Sequence, residues 1–263
     1  MLELTYSHVR VVTQNDVATV TLNRPDLHNA FNEALIGELT DLFERIGRDE
    51  ETRAVVLAGA GRSFCAGGDL NWMQKSASYT KKQNLEDARR LSGMLHAVNE
   101  CPKPVVARIQ GNALGGGAGL VAACDIAVAA DTAQFGFTEV KLGIVPAAIG
   151  PFVVRKIGES PARHHFLLGD RFNAAEARAI GLVHAVAPAS ALDAKLAEIL
   201  RGLGTSGPRA MGEAKALVRT MLDHPEGADK VCIDTIARLR VGAEGQEGLK
   251  AFLEKRKAKW IRG

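Results

Sequence analysis

The chain has 263 residues, of which 46% are hydrophobic and 24% are charged, so it can bury a sizeable core in one large domain or in a large domain with an appendage. The formal net charge of +3 fits an evenly solvated surface or a locally basic patch for an anionic ligand, and charge alone does not separate the two. The four cysteines are widely spaced and form no C-x-x-C pattern. This spacing disfavours a zinc site and indicates small buried residues in a reducing compartment.

The beginning of the chain, residues 1–6, has no basic segment and no long apolar run. No later stretch reaches the roughly 20 consecutive apolar residues that span a bilayer. We therefore expect a cytoplasmic protein without a signal peptide or a membrane helix.

The first three quarters of the sequence alternate β-branched runs with amphipathic segments, which predicts a mixed α/β core with right-handed crossovers between parallel strands. Asn32 is a candidate N-cap for the first helix, whose apolar residues recur at helical spacing. The predicted strands are residues 9–12, 17–22, 53–58, 104–109 and 125–130. The predicted helices of this part are residues 33–48, 81–99 and 115–123.

The last quarter of the chain lacks strand signals. Glycine and proline residues divide it into four predicted helices, at residues 191–203, 208–222, 228–239 and 244–258. A helical region that follows an α/β core is a candidate for subunit association, because its apolar faces need not all be covered within one chain.

Two glycine-rich segments, residues 63–70 and 111–120, follow buried strands. Glycine lets a backbone approach a ligand, and a loop that enters a helix presents free N–H groups to an oxyanion or a phosphate. A dinucleotide-binding G-x-G-x-x-G motif is disfavoured, because the frame that starts at Gly115 has Leu120 where its third glycine belongs. The looser frame from Gly117 begins well past the strand, and no Gly-Lys-Ser/Thr marks a P-loop. For either segment alone, close packing of helix on strand remains an alternative.

Taken together, these segments and their flanks resemble the enoyl-CoA hydratase/isomerase (crotonase) superfamily. The resemblance runs nearly from end to end of the chain. The matching stretches are residues 22–25, 29–31, 63–70, 104–119, 124–126, 133–136, 139, 142–146, 174–177 and 181–183.

The resemblance implies an α/β fold, the crotonase (ClpP-like) spiral of repeated ββα units, over residues 1–203. It implies a C-terminal helical trimerisation region over residues 204–263. An acyl-CoA thioester is the expected substrate, and a homotrimer or a hexamer built as a dimer of trimers is the expected assembly. No metal and no redox cofactor are implied, and neither nucleic acid nor a membrane is an expected partner.

By position, the resemblance assigns the catalytic roles to three residues. Gly68 and Gly116 fall where the family donates two backbone N–H groups to the negatively charged oxygen of a thioester enolate. Glu139 matches the second of the two glutamates of family hydratases, and burial there would raise its pKa toward neutrality. Further contacts to substrate or coenzyme A fall on Arg24, which would meet the coenzyme's phosphates, and on Leu27, Ala66, Asp69, Leu70, Gly119, Pro146 and Ala147.

The main departure from the family pattern is Gly119, since standard hydratases carry their first catalytic glutamate there. A second departure, at residues 147–152, changes the acyl end of the site. Bacterial methylglutaconyl-CoA hydratases of leucine breakdown, and their relatives of acyclic-terpene breakdown, also lack the first glutamate. The chain resembles this subgroup at residues 138–143, 149–154, 236–241 and 244–248.

Three functions follow as hypotheses. The leading one is reversible hydration of a branched or carboxylated 2-enoyl-CoA by Glu139, with a distal carboxylate held by Lys141 or Arg155. The second is a Δ3–Δ2 enoyl-CoA isomerase, because one carboxylate suffices to move a proton between carbons. The third is a non-catalytic acyl-CoA-binding or assembly protein, which the presence of Glu139 disfavours.

The remaining candidates are weaker. His164 and His165 have no Asp or Cys partners at ligand spacing, so we expect a helical surface pair rather than a metal site. The basic tail at residues 255–260 is a solvated helix end or, by the resemblance, a contact to the coenzyme of a neighbouring subunit.

Overall fold

Two β-sheets form the centre of the structure, a computed structural model that describes residues 6–262. The expectation about the first five residues lies outside the described part. The strands are β1 (Val9–Gln14), β2 (Val17–Leu22), β3 (Ala54–Gly59), β4 (Val105–Ile109), β5 (Ala113–Leu114), β6 (Ile126–Ala130), β7 (Gln134–Gly136), β8 (Arg171–Asn173) and β9 (Ala185–Ala187).

The larger sheet has the strand order β1-β2-β3-β4-β6-β9. Strand β1 pairs antiparallel with β2, and the remaining neighbours are parallel. The smaller sheet has the order β5-β7-β8, in which β5 and β7 are parallel and β8 is antiparallel to β7. The predicted mixed α/β class is therefore confirmed.

Helices cover the sheets and make up most of the C-terminal quarter. In the described residues the α-helices are α1 (Glu33–Arg48), α2 (Leu70–Ala77), α3 (Lys81–Glu100), α4 (Gly116–Ala123), α5 (Gly150–Ile157), α6 (Glu159–Leu168), α7 (Ala174–Ala179), α8 (Leu192–Gly204), α9 (Pro208–Asp223), α10 (Ala228–Val241) and α11 (Ala243–Leu253).

Helix α1 forms where the sequence predicts it. The Asn32 side chain accepts a hydrogen bond from the Leu35 N–H at 2.8 Å, which satisfies one of the free donors of the first turn. The predicted apolar stripe is buried, and α1 packs against α3. One continuous core thus joins α1, α3 and α4 to the large sheet, while Leu192 of α8 packs on the other face, against β6.

The last helix ends earlier than the sequence indicates. Helix α11 stops at Leu253, and Lys255 has a left-handed backbone with φ of 54°. The chain then turns back, so that the Trp260 indole N–H donates to Thr205 O at 3.1 Å and Arg53 donates to Trp260 O at 2.5 Å. The prediction of a helix through residue 258 is therefore wrong, because these contacts hold the tail against the body of the chain.

The surface of the C-terminal helices is unusually apolar. Helices α9 and α10 contain no buried residue, although they are 16 and 14 residues long. Large apolar side chains are exposed along α9 to α11, at Val218, Leu222, Ile233, Ile236, Val241, Leu249, Phe252 and Leu253. Within residues 6–262, none of the helices has the length and apolar character needed to traverse a bilayer.

Candidate active site

The small sheet brings the two glycine-rich segments together. Cys65 and Ala113 form an isolated parallel bridge, and the Leu114 N–H donates to Cys65 O at 3.0 Å. On the other side of β5, Leu114 lies opposite Gly136 of β7, also in parallel. Three short parallel segments therefore lie side by side and finish at the same edge.

The three predicted catalytic residues follow shortly after these segments in the chain. Gly68 lies three residues after Cys65, Gly116 three after Ala113, and Glu139 three after Gly136. Ligands of α/β proteins bind outside the carboxyl ends of parallel strands, and this edge is such an end. The topology of the small sheet is therefore what assembles the candidate site.

A glycine with positive φ precedes each of the two predicted N–H donors. Gly67 has φ of 94° and Gly115 has φ of 51°, a region that residues with a side chain rarely adopt. After these turns, the N–H groups of Gly68 and Gly116 make no hydrogen bond to another described residue. Gly116 is also the first residue of α4, where the unpaired donors of the helix concentrate positive potential. The arrangement can hold a negatively charged oxygen.

The Glu139 carboxyl lies against the same turn. Its Oε1 atom is 3.3 Å from the place that a Cβ on Gly115 would occupy, and its Oε2 atom is buried without a hydrogen-bond partner among the described residues. Burial raises the pKa of the Glu139 carboxyl above its usual range. The carboxyl thus has a free oxygen beside the candidate oxyanion site, as a proton-transfer group requires.

The position of the family's first glutamate is filled by another side chain. A Cβ on Gly119 would lie 2.5 Å from Ile149 Cβ and closer still to its Cγ2 atom. Ile149 is buried and begins the turn into α5. The sequence leaves Gly119 as an empty position opposite Glu139. In the structure Ile149 occupies it, so the wall there is apolar.

Phe31, to which the sequence pattern gives no catalytic or binding role, contacts both predicted donors. Its N–H donates to Gly67 O at 2.7 Å and its carbonyl accepts from the Asp69 N–H at 2.9 Å, so its backbone brackets Gly68. Its ring packs against Gly116, where an added Cβ would come within 2.9 Å of Cε2. The matching stretch at residues 29–31 could have drawn attention to Phe31, but nothing in the pattern indicates these contacts.

Arg24 is engaged with the protein itself. Its guanidinium donates from Nη2 to Asp69 Oδ2 at 2.7 Å and from Nη1 to Ala30 O. Burial by itself would raise the pKa of the Asp69 carboxyl, but hydrogen bonds from Arg24 and from the Asn71 and Trp72 N–H groups lower it below its ordinary value. A contact from Arg24 to coenzyme phosphates stays a prediction, and it would have to compete with this ion pair.

The other predicted contact residues differ in burial and in their bonding to the rest of the chain. Leu27 and Leu70 are exposed apolar side chains. Ala66 donates its N–H to His28 O at 3.0 Å. Pro146 is buried and Ala147 is exposed, in the loop that leads from Glu139 to Ile149. Their roles as ligand contacts remain predictions.

The histidine pair differs from its prediction. His165 is buried, its Nδ1 atom is 3.0 Å from Asp170 Oδ1, and its ring stacks on Phe172 with 4.1 Å between centroids. The left-handed turn at Gly169 returns the chain and supplies the carboxylate that spacing alone did not reveal. The prediction of a surface pair without an acidic partner is therefore wrong. The His165–Asp170 contact links α6 to the beginning of β8.

Two other predicted groups lie apart from the small sheet's edge. Arg155 pairs with Asp223 of α9. The tail contacts Arg53 and Asp16, which precede β3 and β2 and so lie at the amino ends of these strands. Within this chain, the tail is therefore at the opposite end of the sheet from the carboxyl ends that lead to the candidate site.

Comparison with known proteins gives the same picture as the geometry. The family model for enoyl-CoA hydratase/isomerase matches residues 12–262. An enoyl-CoA hydratase of Alternaria alternata is 34% identical over 256 residues, which cover 94% of this chain and 82% of that protein. The solved structure of Pseudomonas aeruginosa AtuE has a TM-score of 0.94 and 37% identity, covering 97% of this chain and 100% of that one. That of an enoyl-CoA hydratase from Shewanella pealeana has a TM-score of 0.92 and 37% identity, covering 97% and 96%.

The chain belongs to the enoyl-CoA hydratase/isomerase family. Membership confirms the predicted superfamily and the crotonase fold, and it identifies the protein as an enzyme of this superfamily.

Proposed function

We propose that the protein is an enoyl-CoA hydratase that uses Glu139 as its only catalytic carboxylate, with Gly68 and Gly116 as the donors of an oxyanion hole. The observation that carries the proposal is the Glu139 carboxyl, whose buried Oε2 has no partner among the described residues and whose Oε1 lies against Gly115. An ionisable group left in this state costs stability, which is typical of groups kept for chemistry.

The proposed hydration uses Glu139 twice. As a water oxygen attacks Cβ of the 2-enoyl thioester, the Glu139 carboxylate accepts one water proton, and the C=C electron pair moves onto the thioester oxygen as an enolate. The Gly68 and Gly116 N–H groups hold that oxygen, and fixed donors of this kind typically contribute about 10²–10³ in rate each. The enolate then takes the proton from Glu139 at Cα. The reaction is redox-neutral, so the proposed mechanism needs no redox cofactor, and its steps use only Glu139 and the two backbone donors.

The acyl group that we propose is branched or carboxylated. Support comes from Gly119 and Ile149, which place an apolar wall where a second carboxylate would otherwise stand. Between the two cations considered for a distal carboxylate, Arg155 is already paired with Asp223, whereas Lys141 is exposed two residues after Glu139. Lys141 is therefore the candidate partner of a carboxylated acyl chain.

A panel of enoyl-CoA thioesters tests the proposal. Straight, branched and carboxylated 2-enoyl-CoAs are incubated with the enzyme, and products are read by mass for the gain of one water. We expect the largest kcat/KM for a branched or carboxylated member. Fastest hydration of a straight, neutral chain would overturn the acyl assignment, and no water gain across the panel would overturn the hydratase assignment.

An isomerase is the second candidate, and one observation favours it. With Ile149 in the place of the first glutamate, the site holds one carboxylate, which is enough to carry a proton between Cα and Cγ. Incubation with a 3-enoyl-CoA separates the reactions, because an isomerase conjugates the double bond without a change of mass. Tight binding of thioesters without either reaction would instead favour a non-catalytic acyl-CoA-binding protein.

We further propose that the chain assembles as a homotrimer or a dimer of trimers in the cytoplasm. Helices α9 and α10, without a buried residue in the single chain, support an association through this region. The wide spacing of the four cysteines and the burial of Cys65, Cys101 and Cys124 as single residues support a reducing compartment.

A further inference from the structure

The Arg24–Asp69 ion pair lies directly beside one of the proposed oxyanion donors. Its side chains are 11% and 6% exposed, so both charges are largely removed from water. Asp69 follows Gly68 in the chain, and its N–H donates to Phe31 O at 2.9 Å. The position of Asp69 therefore constrains the backbone of Gly68 from its C-terminal side.

Each polar group of the Asp69 side chain has a partner. Oδ1 accepts from the Asn71 N–H at 2.8 Å and so caps α2, while Oδ2 accepts from Arg24 at 2.7 Å. The carboxylate thus connects α2, which begins at the next residue, to the segment after β2. A shift of Asp69 would move the end of the loop that carries Gly68.

Arg24 also fixes the other side of the loop. Its guanidinium donates to Ala30 O, and its own N–H donates to Asn29 Oδ1 at 2.9 Å, which closes the turn over residues 24–30. The next residue, Phe31, bonds to both neighbours of Gly68 and lays its ring against Gly116. Arg24 is therefore tied, through one turn, to both proposed donors.

We propose that Arg24 is a positioning residue, which acts through Asp69 and Phe31 to hold the Gly68 and Gly116 N–H groups at the geometry that the enolate oxygen requires. This inference rests on the proposed function. It replaces a phosphate contact as the main role of Arg24, because the guanidinium is largely buried and each Nη atom already donates one of its N–H groups to a protein oxygen.

A truncated substrate separates the two roles. The same 2-enoyl group is presented once as its coenzyme A thioester and once as its pantetheine thioester, which lacks the nucleotide and its phosphates. For Arg24→Gln we expect kcat to fall by the same factor on both substrates, up to about 100-fold, since a displacement of about 1 Å costs that much. A phosphate contact would instead raise KM on the order of 10- to 100-fold for the coenzyme A thioester alone. That pattern would overturn the proposal.

A second variant keeps the test valid if Arg24→Gln does not fold. Asp69→Asn retains the oxygen that caps α2 and removes only the charge, so we expect a folded protein with the same kcat loss on both thioesters. Arg24→Lys should retain more of the rate than Arg24→Gln does, and Arg24→Gln with Asp69→Asn together should lose little more than either alone. Wild-type kcat in Asp69→Asn would contradict the proposal.

The matched control is Arg10→Gln, which changes an exposed arginine of β1 and should leave kcat on both thioesters unaltered.

If the wild type hydrates no thioester, the proposed function fails by itself. The ion pair is then tested by the exchange of the α protons of butanoyl-CoA for deuterium, read by mass. A wild-type exchange rate in Asp69→Asn overturns the inference in that case, and a loss supports it.

Discussion

Glu139 is held in a state that favours its neutral form. Burial raises the pKa of its carboxyl above the ordinary value of 4.5, and no described group donates to its buried oxygen. Because the pKa is higher in the folded than in the unfolded chain, the folded state binds more protons between the two values, and folding stability falls as pH rises through the folded-state pKa.

Glu139→Gln should therefore stabilise the protein at neutral and alkaline pH. The amide has the same shape and never carries the buried charge, so the melting temperature should rise relative to wild type at about pH 8. The difference should shrink below about pH 4, where the wild-type carboxyl is protonated in both folded and unfolded states. Thermal melts of both proteins across this pH range measure the difference in their melting temperatures. An equal difference at all pH values would show that the pKa of Glu139 is not raised.

Gly119 and Ile149 should be coupled in stability. Gly119→Ala places a methyl group on Ile149 and should cost about 1–3 kcal/mol, as overpacking does. Ile149→Ala should cost about 2–5 kcal/mol by leaving a cavity. The double variant should cost less than the sum, because Ile149→Ala removes the Cγ2 atom that lies nearest to the new methyl group and leaves only the contact with Cβ. Urea unfolding measures all three.

The control for this cycle is Gly93→Ala. Gly93 lies in α3 with nothing within 4 Å of an added Cβ, so the change should stabilise by about 0.5–1 kcal/mol and add independently to Ile149→Ala. Strict additivity of Gly119→Ala with Ile149→Ala would contradict the contact on which the apolar wall depends.

Some of these residues could be predicted from the sequence and others could not. Gly68, Gly116 and Glu139 could be assigned because each belongs to a local motif with the family's spacing. Ile149 could not, because it fills the Gly119 position from 30 residues away, and chain distance carries no contact information. Arg24 could be singled out as a candidate contact residue, but its pairing with Asp69 depends on a fold that brings position 69 beside it.

At the scale of elements, long periodic segments were predictable and short ones were not. Helix α1 and its Asn32 cap follow from apolar spacing and cap chemistry. Strands β5, β7 and β8 have two or three residues each, too few to show a period of two, and they are not among the predicted strands. They nevertheless form the sheet that assembles the site. The alternation of apolar and polar residues by which a sequence indicates a strand is therefore weakest in the small sheet, which carries the candidate site.

A contact between two C-terminal helices provides an element-scale prediction. Helix α9 has no side-chain cap of its own, and Glu244 of α11 accepts from the Arg209 and Ala210 N–H groups at 3.0 and 2.8 Å. Glu244→Ala should therefore cost about 1 kcal/mol in the free energy of unfolding, as the loss of an N-cap does. Glu226→Ala, at an exposed position in the turn before α10, should change it little. Equal effects of the two would show that the Glu244 cap does not stabilise α9.

At the scale of the whole molecule, the single chain leaves a large apolar surface on its C-terminal helices. Ile233 of α10 is 65% exposed and Phe252 of α11 is 81% exposed. Burying such a side chain is worth about 1.5–3 kcal/mol, and a symmetric assembly gains it once per subunit. This surface is the physical reason to expect an oligomer.

We predict a trimer or a hexamer for the wild type in solution and a smaller species for Ile233→Asp, because an interface that buries this position would have to accept an unpaired charge. Lys230→Asp introduces the same side chain at an exposed polar position of α10 and is the matched control. Light scattering coupled to size exclusion gives the masses. A monomeric wild type at micromolar concentration would contradict the assembly.

The account depends most on one carboxylate acting opposite two backbone donors, and the turnover of Glu139→Gln tests it directly. With the 2-enoyl-CoA that the wild type hydrates fastest, the variant should fold, keep a similar KM and lose about 10²–10⁴ in kcat, because an amide cannot accept the water proton. A folded Glu139→Gln enzyme that adds water at the wild-type rate would contradict the account.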